Sequence, residues 1–407
     1  MAEIRVEVSD SEGDQQQEDP NASVFQSRTF PRYCPRPRPT QTQYIPATPR
    51  AIAAASGATP SNSDLSSRSR ASSSDTSSFF FTISSSSSSS SSSHSLSIPQ
   101  SSSSSSSYRC TFRGKDAIGF RRVFPPTITR EKLKQHLSVI GSIRHANVVQ
   151  LIGASMSEKE PCVNLMYPFV NGATLSDCLT SRSTTTTDLY SLYLGRWQSR
   201  MDIAVGVARG LNYIHHMTGF EALLVHNRIK TSNIILLPLS GGAAVKPLIC
   251  KFGLAHVAGE AADDNVGWGG GEGIEEVDEE ENPYMSPEVR RGGSLATRKS
   301  DVYAFGVLLL ELISGAEPVT YRYDDVDKVY VRKSIMETAR AAEAGDEEMV
   351  RGWVDGRLNG LFPVEVAKEA MRLGLYCLGE DPRSRPDMGL VEGLIFDCWR
   401  RSNKPFF

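Results

Sequence analysis

Two tripeptides hold the residues of this chain best placed to do chemistry: His226-Asn227-Arg228 and Lys251-Phe252-Gly253. The first runs on as Ile229-Lys230-Thr231-Ser232-Asn233, so an imidazole, two cations and a terminal amide stand close in sequence with no carboxylate among them, and Lys251 adds a third cation. Arg228 cannot act as a general base, because a guanidinium stays protonated at any physiological pH. Lys251 repels a dication instead of ligating it. Such a set either holds a polyphosphate or a partner's acidic side chain without metal, or its charges are simply solvated.

The frame around the tripeptides is more specific than the tripeptides themselves. His226 to Asn233 keeps the spacing H-R-D-L-x-x-x-N; Ile249-Cys250-Lys251-Phe252-Gly253-Leu254-Ala255 follows the D-F-G segment, and Tyr284-Met285-Ser286-Pro287-Glu288 the A-P-E segment. Lys299 to Leu312 reads as a long buried helix. Arg200-Met201-Asp202-Ile203-Ala204, Gly210-Leu211-Asn212-Tyr213-Ile214-His215 and Trp353-Val354-Asp355-Gly356-Arg357-Leu358 complete the pattern. The chain resembles plant receptor-like kinases, and its His226-Asn227 pair resembles the kinase-dead LysM type, here without ectodomain or transmembrane helix. The resemblance implies an α+β, two-lobed protein-kinase fold over 108–402, with a β-rich, truncated N-lobe (108–167) and a helical C-lobe (168–402).

In that family the catalytic-loop aspartate accepts the substrate proton and the D-F-G aspartate holds magnesium against the phosphates. Arg228 and Lys251 take those two positions, and loss of the base alone costs ~10² to 10⁴ in rate. Lys230 and Asn233 match the retained catalytic-loop lysine and second metal-ligating asparagine. The resemblance also implies structural roles for Glu288 and Arg385 as a buried ion pair and for Asp301 as the anchor of the catalytic loop. Ile140, Leu151, His226 and Phe252 would stack as a spine between the lobes.

The elements that must position these residues begin with two strands, Tyr108–Arg113 and Ala117–Phe124, joined by a turn at Gly114-Lys115-Asp116. Poly-serine replaces the preceding strand and glycine-rich loop. Phe120 falls where V-A-I-K carries its lysine. Alternation sends Arg121 to the opposite face and returns Arg122 to the same face ~6 to 7 Å further on. An amphipathic segment, Thr129 to Ile143, then places His136 where the partner glutamate belongs, so both members of that ion pair are replaced. Leu165 to Val170 reads as the hinge, 180–188 as a polar loop, and Met201 to Ile214 as a helix.

Composition divides the chain unequally. Residues 1–107 contain no lysine but include ten consecutive serines from Ser84 and seven from Ser101, too little apolar surface to offset ordering entropy, so they read as a disordered tail. Within it, the Pro- and Arg-rich stretch 31–50 is either a solvated linker or a polyproline ligand for an aromatic groove. No secretory signal or myristoylation motif opens the sequence, and the apolar run Val302 to Ile313 is interrupted by Glu311 and too short to cross a membrane. Seven scattered cysteines suggest neither zinc nor disulfides, and a net charge of -3 without a basic aromatic stripe speaks against nucleic acid. Between Lys251 and Asn282 stands no Ser, Thr or Tyr, and the acid-rich stretch 259–281 either mimics phosphorylation, reaches into the basic pocket or is disordered.

Together these readings predict a cytoplasmic pseudokinase adaptor, recruited to the inner face of the plasma membrane through a partner. Its expected partners are other receptor-like kinases or their substrates, with no cofactor and no metal. The alternative is an atypical or weak Ser/Thr kinase that uses ATP and Mg.

Overall fold

The computed structural model describes residues 105–180, 189–217, 224–239, 244–260, 282–292, 295–324 and 328–403. The tail expected over 1–107 therefore lies outside the described residues apart from its last three, as do most of the polar loop after Thr180 and the acidic stretch beyond Glu260. The two-lobed α+β arrangement implied by the resemblance is present. Its small lobe is a four-stranded antiparallel sheet ordered β1-β2-β4-β3, built from β1 (Ser105–Phe112), β2 (Lys115–Val123), β3 (Gly153–Met156) and β4 (Cys162–Pro168).

The first strand starts at Ser105, three residues before the sequence-based boundary. Serine has little intrinsic taste for strands, but Ser105, Ser106 and Ser107 pair with Arg122, Arg121 and Phe120, and cross-strand pairing overrides propensity. Outer-face residues Ala117 and Gly119 of β2 are buried, with Cys110 and Met166, beneath Tyr108 and Phe112. Gly119 is needed there: a Cβ at this position would lie 2.3 Å from Cζ of Tyr108. Gly119→Ala should therefore cost ~1–3 kcal/mol by overpacking, read by urea unfolding. Combining it with Tyr108→Ala should recover much of the loss, because the two changes share one clash.

Helix α1 (Arg130–Ser142) starts at an N-cap, Thr129, that accepts from the Lys132 amide, and buries Leu133, Leu137 and Ile140 on one face. Past it, the chain is tied to the large lobe by Val149 N donating to Ile249 O (2.8 Å) and Ile249 N donating to Asn147 O (2.8 Å). The large lobe carries a second antiparallel sheet, β5 (Ala173–Thr174), β6 (Ile234–Pro238) and β7 (Val245–Ile249). Its main helices are α2 (Trp197–Asn212), α3 (Arg298–Ser314), α4 (Ile335–Ala344), α5 (Val364–Cys377) and α6 (Met388–Ser402).

Helix α3 is buried almost all round, which suits an apolar run with a Thr297/Ser300 capping box and a left-handed Gly315 stop. Its C-terminal carbonyls meet a buried cation: Arg200 donates to Leu312 O (2.7 Å) and pairs with Asp355 at 2.5 Å. A hairpin of β8 (Val319–Asp324) and β9 (Val329–Ser334) follows, with Tyr321, Tyr323 and Tyr330 exposed. Among the described residues no helix is long and apolar enough to cross a membrane.

Candidate functional site

The loop carrying His226, Asn227 and Arg228 is fixed from below by Asp301 on α3. That carboxylate accepts from His226 N (2.7 Å), Asn227 N (2.7 Å) and the His215 ring (2.9 Å), and it is fully buried. Burial alone would push its pKa up, but the hydrogen bonds and charge of the surrounding histidines outweigh it and hold the carboxyl below its ordinary value. Asn227 takes a left-handed backbone (φ 52), which asparagine tolerates better than most residues.

His226 stacks on Phe252 with ring centroids 5.9 Å apart. Its Nε2 donates to Cys250 O at 3.0 Å while Nδ1 accepts from Arg228 N at 3.2 Å, which is the pattern of a neutral imidazole. Burial lowers its pKa to about 4. Ile140, Leu151, His226 and Phe252 are all buried, and Ile140 lies against the backbone beside Phe252, where a Cβ on Gly253 would meet its Cγ2 at 3.0 Å.

On the small-lobe side, β2 carries Phe120, where the resemblance leads a lysine to be expected. Its ring meets Tyr167 edge-on at 5.7 Å, and the Tyr167 hydroxyl donates to Phe252 O at 2.5 Å. Lys251 has a left-handed backbone (φ 68) and carries its ammonium 5.7 Å over the Phe120 ring. Strand alternation acts as expected: Arg121 pairs with Glu160, while Arg122 returns to the face of Phe120 and lines the site. His136 contacts His256 edge-on at 6.0 Å, and the His256 ring in turn bonds Val225 O at 3.1 Å.

A cavity of about 410 Å³ opens between the catalytic loop, the end of β7 and the chain around Tyr284, and Arg122, Arg228, Lys230, Asn233 and Lys251 all line it. Asn233 donates through Nδ2 to Arg228 O at 2.7 Å, leaving its buried Oδ1 without a partner among the described residues. Among the described residues, that neutral oxygen faces four cations, and the two lining carboxylates are already held, Asp301 by His215, His226 and Asn227 and Glu260 by Arg228, an arrangement that does not fit Mg²⁺, whose hard sites are built from carboxylates and phosphates.

Three groups escaped the sequence. Glu260 binds Arg228 (2.5 Å) and Asn227 Nδ2 (3.1 Å), so the first acid of the segment does reach into the basic pocket. Tyr167 bridges Phe120 and Phe252. Tyr284, whose hydroxyl lies 3.0 Å from Thr231 Oγ1, hydrogen-bonds Glu311, which sits in the middle of α3. The one available signal for the last group was an acid interrupting an apolar helix.

Burial pushes the Glu311 carboxyl from an ordinary 4.5 up to about 8, despite the hydrogen bond from Tyr284. A folded value above the unfolded one stabilises fully below about pH 4.5, and that contribution is lost as pH rises to about 8. His226 works oppositely, costing stability as pH falls from 6.5 toward about 4. Thermal melts between pH 6.5 and 8.5 therefore isolate Glu311. The folded state should weaken by up to ~1.4 kcal/mol per pH unit from this group, and Glu311→Gln should flatten the slope. An unchanged slope in the variant would assign the effect elsewhere.

Comparison with known proteins places this geometry. The family model described as "Protein kinase domain" matches residues 121–392, starting immediately after Phe120. The chain is 30% identical over 71% of its length to the "Probable LRR receptor-like serine/threonine-protein kinase IRK" of Arabidopsis thaliana, of which it spans 27%. It is 34% identical over 62% of its length to the "EPD1-interacting receptor-like cytoplasmic serine/threonine-protein kinase" of Nicotiana benthamiana, spanning 47% of that protein. Among solved structures, the pseudokinase domain of BIR2, an immune regulator of the RLK/Pelle family, superposes with a TM-score of 0.53 at 20% identity, covering 75% of this chain and 82% of that one. At that identity the likeness is one of fold alone.

Proposed function

Because the chain belongs to the protein kinase domain family, with plant receptor-like kinases among its relatives, we propose that it is a receptor-like cytoplasmic pseudokinase, of the LysM type, serving as an adaptor or allosteric scaffold for active receptor kinases. The observation that carries this reading is the pairing of cations at both aspartate positions with an intact supporting frame: Arg228 and Lys251 replace the acids, while Asp301, Glu288 and Arg385 keep their bonds. Phe120 in place of the phosphate-binding lysine, and the absence of a glutamate partner at His136, point the same way. Neither ATP nor Mg²⁺ is required for such a role, and its partners are other receptor-like kinases or their substrates. It acts in the cytoplasm and reaches the inner face of the plasma membrane through those partners.

The second reading, a weak Ser/Thr kinase, draws on the retained Lys230 and Asn233 and on the kinase names of the relatives. A radiolabelled phosphotransfer assay with Mg-ATP and a generic acceptor protein separates the two. No label above an enzyme-free control is the expected result. Magnesium-dependent label that persists after Glu260→Gln but disappears in Lys230→Ala would replace the scaffold by an enzyme.

A further inference from the structure

Among the described residues, the cations around the 410 Å³ cavity outnumber the anions. Two carboxylates line it, and Asp301 is fully engaged by His215, His226 and Asn227. Glu260 is left to face Arg122, Arg228, Lys230 and Lys251, and it reaches Arg228 alone among them. Arg122, Lys230 and Lys251 have no carboxylate partner among the described residues. The Nε atoms of Arg122 and Arg228 are buried with no acceptor among the described residues. A buried donor left unmet is costly, and half-buried like charges add to the cost.

Two further observations support an anion here. Burial first, and then the neighbouring Lys230, Arg228 and Arg122, hold the Lys251 ammonium below its ordinary pKa; Arg122 is lowered by burial and by Arg228, which the charge of Glu260 only partly offsets. A second carboxylate would offset one charge of the surplus. A phosphate group carries about -1.5 to -2 and several acceptor oxygens, and the guanidinium fork pairs with it in a bidentate geometry.

We propose that this cavity is a metal-free binding site for a phosphate group, held by Arg122, Arg228, Lys230 and Lys251, and that Glu260 is a built-in counter-ion which the ligand displaces from Arg228. It rests on the reading that metal-dependent transfer has been abandoned, and it adds what the emptied centre recognises. Glu260 then acts as an intramolecular competitor, and each gain in the ligand's charge favours exchange. The phosphate comes either from a free polyphosphate or from a phosphorylated side chain on a partner.

Calorimetric titration of the full chain in EDTA tests this, with sodium tripolyphosphate in one arm, a phosphoserine peptide in another and its unphosphorylated form as control. Saturable binding in either phosphate arm, weakened at raised salt, is expected. Arg122→Gln should weaken it about ten-fold, and Glu260→Gln should tighten it several-fold. Binding of tripolyphosphate alone identifies a free polyphosphate; binding of the phosphopeptide identifies a side chain. Absence of saturable heat in both wild type and Glu260→Gln overturns the proposal, as does binding indifferent to Arg122→Gln or dependent on added magnesium. Label transfer in the Mg-ATP assay would sink the pseudokinase reading while leaving these EDTA titrations interpretable.

Discussion

Arg385→Ala is expected to lower the unfolding free energy by ~3–5 kcal/mol, the cost of breaking a buried pair from one side. The Arg385 side chain is fully buried and donates NH1 to Glu288 Oε1 at 2.8 Å and NH2 to Glu288 Oε2 at 2.7 Å. It also donates to Gly379 O (2.7 Å), Lys299 O (3.0 Å) and Glu380 O (3.2 Å), and its Cζ lies 5.1 Å from the Tyr303 ring centroid. Burial alone would raise the Glu288 carboxyl, yet the hydrogen bonds from Arg385 and Ser286 outweigh it and hold it below its ordinary value. Truncation strands both that carboxylate and three carbonyls. Urea unfolding of Arg385→Ala, Glu288→Gln and the pair Arg385→Met/Glu288→Leu measures the coupling, and the double variant should recover part of the loss because it strands no charge. Single losses below about 1 kcal/mol would place the pair among weak surface bridges.

That pair, the Asp301 anchor and the His226–Phe252 stack were legible because each belongs to a short segment of fixed internal spacing, so the residue type and its offset settle the position. Arg121 and Arg122 were legible for a different reason: a strand alternates, and two adjacent cations must part to opposite faces. Pairings across long sequence distances left no such trace. Arg200 and Asp355 each stand in a recognisable segment, but nothing local says that they meet as a buried ion pair at 2.5 Å. Glu260 is one acid among many in its stretch, and what singles it out is the left-handed turn at Gly259 and the bond from Ala296 N that fixes its backbone (2.8 Å). The β8–β9 hairpin was readable and missed: Val319 to Tyr323 alternates aromatic or β-branched residues with polar ones, and the β-branched and aromatic run Val329-Tyr330-Val331 follows across an aspartate-rich stretch.

Restoring both acids, Arg228→Asp with Lys251→Asp, should leave phosphotransfer at background, although a positioned base is worth ~10² to 10⁴ in rate. The backbone accepts the change: Lys251 already sits at φ 68, a conformation aspartate adopts more readily than lysine. Electrostatics then reverse. Arg228→Asp sets a carboxylate where Glu260 now finds its cation at 2.5 Å, so Glu260 is driven off, and Asn233 Oδ1 gains two carboxylate neighbours with which to ligate Mg²⁺. Metal binding is thus the expected gain, visible as a magnesium-dependent rise in melting temperature. The small lobe is still expected to withhold catalysis. Phe120 keeps its ring against Tyr167, its neighbour Arg122 points into the cavity without replacing the lysine, and β1 is preceded by serines in place of a phosphate-covering loop. Adding Phe120→Lys and His136→Glu tests the remainder: an ammonium restored without a glycine-rich loop should bind nucleotide more tightly and still transfer little. Robust labelling by the double variant alone would show that the two aspartates were the whole of the loss and that Phe120 is no obstacle.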